Sequence, residues 1–328
     1  MQNVGVIITA MNAQGSIGRA VASALIQKEV AEVSVVDDAS SDRTAQAARD
    51  ADDGSGRLKI IVCKQNLGPA AARNLAISQS HAPLIAILDA DDFLLADRFS
   101  ALADPAADWD VSADNIVFAS PEVARQFAGK RAFDTGGTAQ RLTFEQFVAA
   151  NISQPDRPRG ELGFLKPVIR RSFLEEHGLV YDERMRLGED FDLYARMLLA
   201  GARFRIIASC GYVAVEQATS LSACHTAADL GALVAADERM LARPLSAKAR
   251  RVLTIHCEQC AERWHHRSFL DAKREKGLVR ALAANATLPR LILDAAKGVA
   301  QDKWRERKKR RKGDGRIVPP QPRFLVEP

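Results

Sequence analysis

Leu84-Ile85-Ala86-Ile87-Leu88 runs straight into Asp89-Ala90-Asp91-Asp92, and this stretch decides the fold. An apolar run without alternation marks a strand covered on both faces. Carboxylates at its exit stand where an open α/β sheet binds its ligands. The pattern repeats upstream. Val4–Thr9 (VGVIIT) is one such run, and Val33–Val36 is another, ending in Asp37 and Asp38. Leu58–Cys63 is a third. Helical stripes separate them. Ser16–Lys28 has apolar residues at 17, 20, 21, 24 and 25. Ser41–Asp50 reads as a helix with Ser40 or Ser41 as its N-cap. Gly68–Ser80 is a helix with Pro69 in its first turn. Strand and helix alternating at this spacing predict βαβ units, hence an α/β fold with a doubly wound, mostly parallel sheet.

Farther along, Asp110–Ala119 reads as a fifth strand. Gly129–Arg141 reads as an exposed loop or hairpin, Thr143–Ala150 as a short helix and Gln154–Gly160 as a breaker-rich loop. Phe164–Ile169 reads as a strand. Asp190–Ala200 is a helix with Gly201 as its C-cap. From Thr226 to about Trp304 the pattern is helical, and the Pro-containing end after Gly313 reads as disordered.

The charge excludes one class of function. Lys and Arg number 46 against 41 Asp and Glu, a net of +5. Residues 301–312 alone (QDKWRERKKRRK) carry +6, so the remainder stands at −1. The basic balance belongs to a tail, not to a nucleic-acid-binding body. Five scattered cysteines suggest a reducing compartment. The first residues lack a basic n-region and a cleavage site. No apolar run approaches the roughly 20 residues of a membrane span. The expected location is cytoplasmic, with contact at the inner face of the plasma membrane an open option.

Three segments can carry chemistry. On an extended chain Asp89 and Asp91 point the same way. At about 4 Å two carboxylates repel by about 1 kcal/mol in water and about 4 kcal/mol at an effective dielectric of 20. A divalent cation turns that repulsion into coordination, and oxygen ligands suit Mg²⁺ or Mn²⁺ held with phosphates. The bland alternative is a solvated acidic turn. Asp37 or Asp38 could bond a nucleobase or ribose, although Ser40 to Asp42 read as turn and cap. Arg73, one turn inside an Ala-rich helix, could meet a base or a diphosphate. Glu189 and Asp190 suit a helix N-terminus by charge alone.

These segments, VGVIITAMNA, VVDDASSD, NLGPAAARN and ILDADDF in order, followed by Leu187-Gly188-Glu189-Asp190-Phe191-Asp192-Leu193, resemble the inverting family 2 glycosyltransferases of GT-A fold. Within them the likeness is to the glucosyltransferases of bacterial exopolysaccharide of the succinoglycan kind. The resemblance implies a nucleotide-sugar site at the strand C-terminal ends and a C-terminal helical extension. It divides the chain into a donor-binding half (1–120), an acceptor-binding half (121–225), a helical region (226–304) and a basic tail (305–328). It places Thr9, Asp37, Asp38, Arg73 and Asp89 at the donor, a UDP-sugar by preference. It implies that Asp91 is the metal ligand for Mg²⁺ or Mn²⁺, with Asp89 and His225 as further candidates and Asp92 in support. It implies that Asp190 is the general base and that Glu189 binds the acceptor, a saccharide or lipid-linked oligosaccharide. Thr9, Ala10 and Met11 stand where family members often carry Pro and an aromatic, so ring stacking from that loop is lost.

Two features of the C-terminal part invite sharper readings. Cys257-x-x-Cys260, with His256, His265 and His266 nearby, suggests zinc. Leu253, Cys257, Cys260 and Trp264 nevertheless follow one helix face, and buried core cysteines explain them without metal. Leu288 to Val299 form an amphipathic stripe leading into the polybasic run, a membrane-surface pattern over 288–312, or else a helix packed on its own domain. Two rival functions remain at this stage. A sugar-phosphate nucleotidyltransferase would show a Gly-rich, basic loop after its first strand, where Met11–Gly18 is sparse. A non-catalytic membrane-associated binding subunit would not need Asp89, Asp91 and Asp190 intact.

Overall fold

The computed structural model describes residues 3–104, 106–153, 161–216, 225–277 and 321–326. The chain forms two compact units, Met1–Ala218 with Gln321–Pro328, and Thr219–Pro320. In the first, the elements run β1 (Val4–Ala10), α1 (Ile17–Leu25), β2 (Val30–Asp37), α2 (Thr44–Arg49), β3 (Leu58–Val62), α3 (Pro69–Gln79) and β4 (Leu84–Asp89). There follow β5 (Phe93–Leu94), α4 (Arg98–Leu102), β6 (Val111–Ala119), α5 (Pro121–Ala124), β7 (Phe133–Asp134), β8 (Gln140–Leu142) and α6 (Phe144–Ala150). Then come β9 (Val168–Arg170), α7 (Arg171–Glu176), α8 (Glu189–Leu199) and β10 (Phe204–Val215). The second unit holds α9 (Ala227–Leu241) and α10 (Ala247–Lys276), and β11 (Arg323–Phe324) returns to the first.

One mixed sheet carries the first unit, in the order β3-β2-β1-β4-β9-β6-β10-β5. The strands β3, β2, β1 and β4 are mutually parallel. Val4, Val6, Ile7 and Ile8 are fully buried, as the unalternating apolar runs require of strands covered on both faces. β9 runs antiparallel between β4 and β6, so β6 keeps the direction of β4. Thr9 pairs with Val36 on one side and Asp89 on the other. The register therefore aligns the exits of three neighbouring strands, which gathers the acidic residues at one edge.

Several expectations need correcting. Neither Ser40 nor Ser41 caps α2, which starts at Thr44 with no side-chain cap. Ser40 Oγ accepts from Asn12 N and Ser41 N donates to Asn12 Oδ1, tying the loop after β2 to the loop after β1. Phe164–Ile169 is not one strand. A 3-10 turn at Leu162–Phe164 precedes the short β9. The 129–141 segment forms β7 and β8, both antiparallel to β10. Residues 321–326, expected in a disordered tail, supply β11 against β6, and Asn115 donates to the carbonyl of Val326.

β10 is the longest strand and was not anticipated. Ser209, Cys210 and Gly211 interrupt its apolar pattern, and its pairing with β6 shifts register there. Gly211 is needed for close approach. A Cβ there would lie 2.5 Å from Arg98 Cγ and 3.0 Å from Asp114 Oδ2. Arg98 and Asp114 form a fully buried ion pair of 2.7 Å that fastens the start of α4 to β6.

The breaker-rich loop at 154–160, the stripe at 288–299 and the polybasic run at 301–312 lie outside the described residues. Among the described residues no helix is long and apolar enough to cross a membrane.

Candidate active site

The strand exits set the site. β4 ends at Asp89, and Asp92 N donates to the Asp89 carbonyl at 3.1 Å, so the chain turns at once. This corrects the extended arrangement expected for Asp89 and Asp91. The turn separates three carboxylate roles. Asp92 points into β10, where Oδ2 accepts from Tyr212 Oη (2.7 Å) and Oδ1 from Val215 N (2.8 Å). Asp89 enters an ion-pair network. Asp91 keeps a partly exposed carboxylate outside the ion pairs found among the described residues, while its carbonyl accepts from Arg19 Nη2 at 2.6 Å.

The network centres on Arg73, whose side chain is buried. α3 delivers it because Gly68, at φ +85°, lets the loop enter the helix at Pro69. Arg73 Nη1 donates to Glu189 Oε1 (2.7 Å) and Asp190 Oδ1 (3.0 Å), and Nη2 to Asp89 Oδ1 (3.1 Å). Lys166, just ahead of β9, donates from Nζ to Asp190 Oδ2 (2.8 Å) and pairs with Asp89 Oδ2 at 2.9 Å. Tyr181 Oη donates to Asp190 Oδ1 at 3.1 Å. Asp190 thus accepts from three donors, and both it and Glu189 sit in the first turn of α8 behind Gly188.

Asp38 holds the loop at 66–68. Its Oδ1 accepts from Leu67 N (2.6 Å), and Oδ2 from Gly68 N (2.9 Å) and Asn66 Nδ2 (2.8 Å). Asp37 Oδ1 accepts from Ser40 N at 3.0 Å. The two strand-end acids therefore shape the loop around 40 and the loop at 66–68 that leads into the helix carrying Arg73.

The charges follow from this packing. Burial pushes the Asp89 carboxyl up, but Lys166 and Arg73 outweigh it and hold it at about 2. Burial lowers the Lys166 ammonium, and Asp190 and Asp89 more than restore it, leaving it raised. Burial and then the charge of Asp89 raise Asp91. Burial, Asp89 and Asp91 raise Asp92 well above the usual carboxylate range. Burial and Asp190 raise Glu189 against the pull of Arg73. Five carboxylates thus share two buried cations, and the surplus is felt at Asp91 and Asp92. An all-oxygen donor set with surplus negative charge fits Mg²⁺ or Mn²⁺ better than a softer ion.

The structure brings Arg73, Asp89, Glu189 and Asp190 into direct contact, with Asp91 two residues along the turn and Thr9 beside Asp89 in the sheet. His225 stands in the other compact unit, just ahead of α9. Lys166, Tyr181, Arg19 and Tyr212 were not singled out from sequence. Each is a lone residue without a motif spacing, and only the fold carries it to the acids.

The family model described as Glycosyl transferase family 2 matches residues 5–173. The succinoglycan biosynthesis protein ExoU of Rhizobium meliloti (strain 1021) is 46% identical over 302 residues, covering 92% of this chain and 88% of that protein. Among solved structures, S. aureus TarS 1–349 in complex with UDP-GlcNAc matches at a TM-score of 0.58 and 18% identity, over 89% of this chain and 83% of that one. The mannosyltransferase PcManGT from Pyrobaculum calidifontis, in complex with GDP-Man and Mn²⁺, matches at 0.51 and 19% identity, over 92% and 81%. These two likenesses concern the GT-A glycosyltransferase fold. With the acidic strand exits, the Arg73 network and the sequence identity taken together, the chain belongs to glycosyl transferase family 2 and is a glycosyltransferase.

Proposed function

We propose that the chain transfers a hexosyl group, glucose in the first instance, from a nucleoside diphosphate sugar to a saccharide acceptor carried on a lipid, in the assembly of a bacterial exopolysaccharide. One observation carries the reading: Arg73 and Lys166 draw Asp89, Glu189 and Asp190 into one cluster at the exits of the parallel strands. The name of the 46% identical relative supports the pathway class. The UDP-GlcNAc and the GDP-Man with Mn²⁺ named in the structural likenesses support the donor class.

In this reading Asp91, with Asp89, would hold Mg²⁺ or Mn²⁺, whose charge would offset that growing on the leaving diphosphate. Thr9 and one of Asp37 or Asp38 face the nucleotide. Arg73 and Lys166 bring two buried positive charges to the same edge, where a diphosphate gains most from them. Glu189 meets the acceptor. Asp190 takes the proton from the attacking hydroxyl. The acceptor oxygen forms its bond to the anomeric carbon as the bond to the diphosphate oxygen breaks, and the electron pair leaves with the diphosphate. Attack from the far face inverts that carbon, and no side chain becomes covalently attached.

Asp190 can accept a proton only at an oxygen released from its donors. Among the described residues Oδ2 has a single one, Lys166 Nζ, which also touches Asp89. A small swing of Lys166 toward Asp89 and the diphosphate frees Oδ2, so Lys166 is a positioning residue that couples donor binding to the base. The test is incubation with a panel of nucleotide sugars and Mg²⁺ or Mn²⁺, with and without a bacterial membrane lipid extract. Release of nucleoside diphosphate that needs the extract supports the reading. Release of pyrophosphate from a nucleoside triphosphate and a sugar phosphate overturns it.

A further inference from the structure

The second compact unit contains a side-chain cluster that the transfer reaction does not use. Asp237 of α9 is fully buried, and it faces His256 and Cys260 of α10, which are 5% and 3% exposed. Asp237 Oδ2 lies 2.8 Å from His256 Nδ1. Cys260 Sγ lies 4.0 Å from His256 Nδ1 and 3.9 Å from Nε2. One oxygen, one nitrogen and one sulfur all fall within 4.8 Å of one another. We propose that Asp237, His256 and Cys260 bind one divalent ion of the zinc class, separate from the all-oxygen catalytic cluster.

Three considerations support it. The first is the donor set. Imidazole, thiolate and carboxylate together suit Zn²⁺ or Co²⁺, whereas the acids at 89–92 suit harder ions. The second is spacing. Bonds of about 2.0–2.3 Å in a tetrahedron put ligand atoms about 3.3–3.6 Å apart. The oxygen–nitrogen distance found is shorter than that and the nitrogen–sulfur distance longer, so shifts of about half an ångström along these two edges bring the atoms toward a tetrahedral site. His256 and Cys260 are one helical turn apart, on one face. The third is what a core stripe leaves unexplained. Leu253 and Cys260 are buried as a stripe requires, but Cys257 is only half-buried, and Trp264 is exposed over about a third of its surface. No apolar stripe accounts for a fully buried carboxylate from the neighbouring helix against the ring.

An imidazolium–carboxylate pair is the competing account, and pH separates the two. A metal takes the place of the ring and thiol protons, so its binding strengthens as pH rises, whereas an ion pair alone takes up no metal at any pH.

The experiment uses the full chain, stripped with chelator and titrated with Co²⁺. The expected result is a thiolate-to-cobalt charge-transfer band with tetrahedral d–d bands. It should saturate at one equivalent, grow from about pH 6 to about pH 8, and bleach with one equivalent of Zn²⁺. Cys260→Ala and His256→Gln remove the band, and Cys63→Ala, in the other unit, keeps it. Circular dichroism of each variant confirms that it is folded. If a variant unfolds, Asp237→Asn, which keeps the side-chain shape, takes its place and also loses the band. Absence of a thiolate band in the folded wild-type chain, or its persistence in Cys260→Ala, overturns the proposal and leaves a buried ion pair only.

Discussion

Lys166 Nζ sits 2.8 Å from Asp190 Oδ2, and the same ammonium reaches Asp89 at 2.9 Å. One side chain thus links the exit of β4 to the first turn of α8, two places far apart in sequence. Such a link cannot be cut cheaply, because the buried Asp190 carboxylate loses a partner that water cannot readily replace.

Lys166→Met is therefore expected to destabilise the fold by about 3 kcal/mol. Asp89 is partly exposed, which keeps the loss at the lower end of the usual range. Chemical denaturation measures it. Unchanged stability with full turnover would remove Lys166 from the network's essential parts.

Asp190→Asn keeps the shape and most of the hydrogen bonding but cannot take a proton. Turnover should fall by about 10²–10⁴-fold, the usual contribution of a general base. Donor affinity, measured by calorimetry, should change far less. A variant that retains turnover would assign the base elsewhere.

Stability should depend on pH in a way that a divalent ion alters. Burial and Asp89 raise Asp91, so the folded chain holds that proton to higher pH than the unfolded chain. Stability from this group is present below the ordinary carboxylate value of about 4 and is lost as pH rises above it. Asp89, held at about 2, acts oppositely and loses its contribution as pH falls from about 4 to about 2. In chelator, of two pH values above about 4, the melting temperature should be lower at the higher one, through Asp91 and Asp92. Mn²⁺ should raise it more at the higher pH. Thermal-shift scans with and without Mn²⁺ measure this, and an increment equal at both pH values contradicts it.

Gly211→Ala should destabilise by about 1–3 kcal/mol, an overpacking cost. The added Cβ would press on Arg98 Cγ at 2.5 Å and on Asp114 Oδ2 at 3.0 Å, and neither partner of that buried pair can move freely. Denaturant titration gives the value. A neutral outcome would mean that β10 can shift at its register break.

The parallel half of the sheet was legible because its information is local. β1, β2 and β4 are apolar runs, and Asp37, Asp38, Asp89 and Asp91 follow them directly. Arg73 could be placed because Gly68-Pro69 marks a helix start, and the Glu189-Asp190 pair because Leu187–Leu193 resembles the family's acidic motif. The remaining features depend on partners distant along the chain. Lys166 gains meaning only from Asp89 and Asp190. β10 hides behind Ser209, Cys210 and Gly211. β11 needs β6, some two hundred residues away, and nothing in Gln321–Val326 announces a strand. The cysteines of α10 showed a helix face, but Asp237, on another helix, could not be paired with them by spacing.

The central claim is that the β4 exit holds a divalent ion together with the donor's diphosphate, and Mn²⁺-dependent binding of UDP tests it most directly. Calorimetry on the full chain should show UDP binding strengthened about tenfold or more by Mn²⁺, with that gain abolished in Asp91→Asn while Cys63→Ala retains it. UDP affinity indifferent to Mn²⁺, or a gain that survives in Asp91→Asn, would contradict the account.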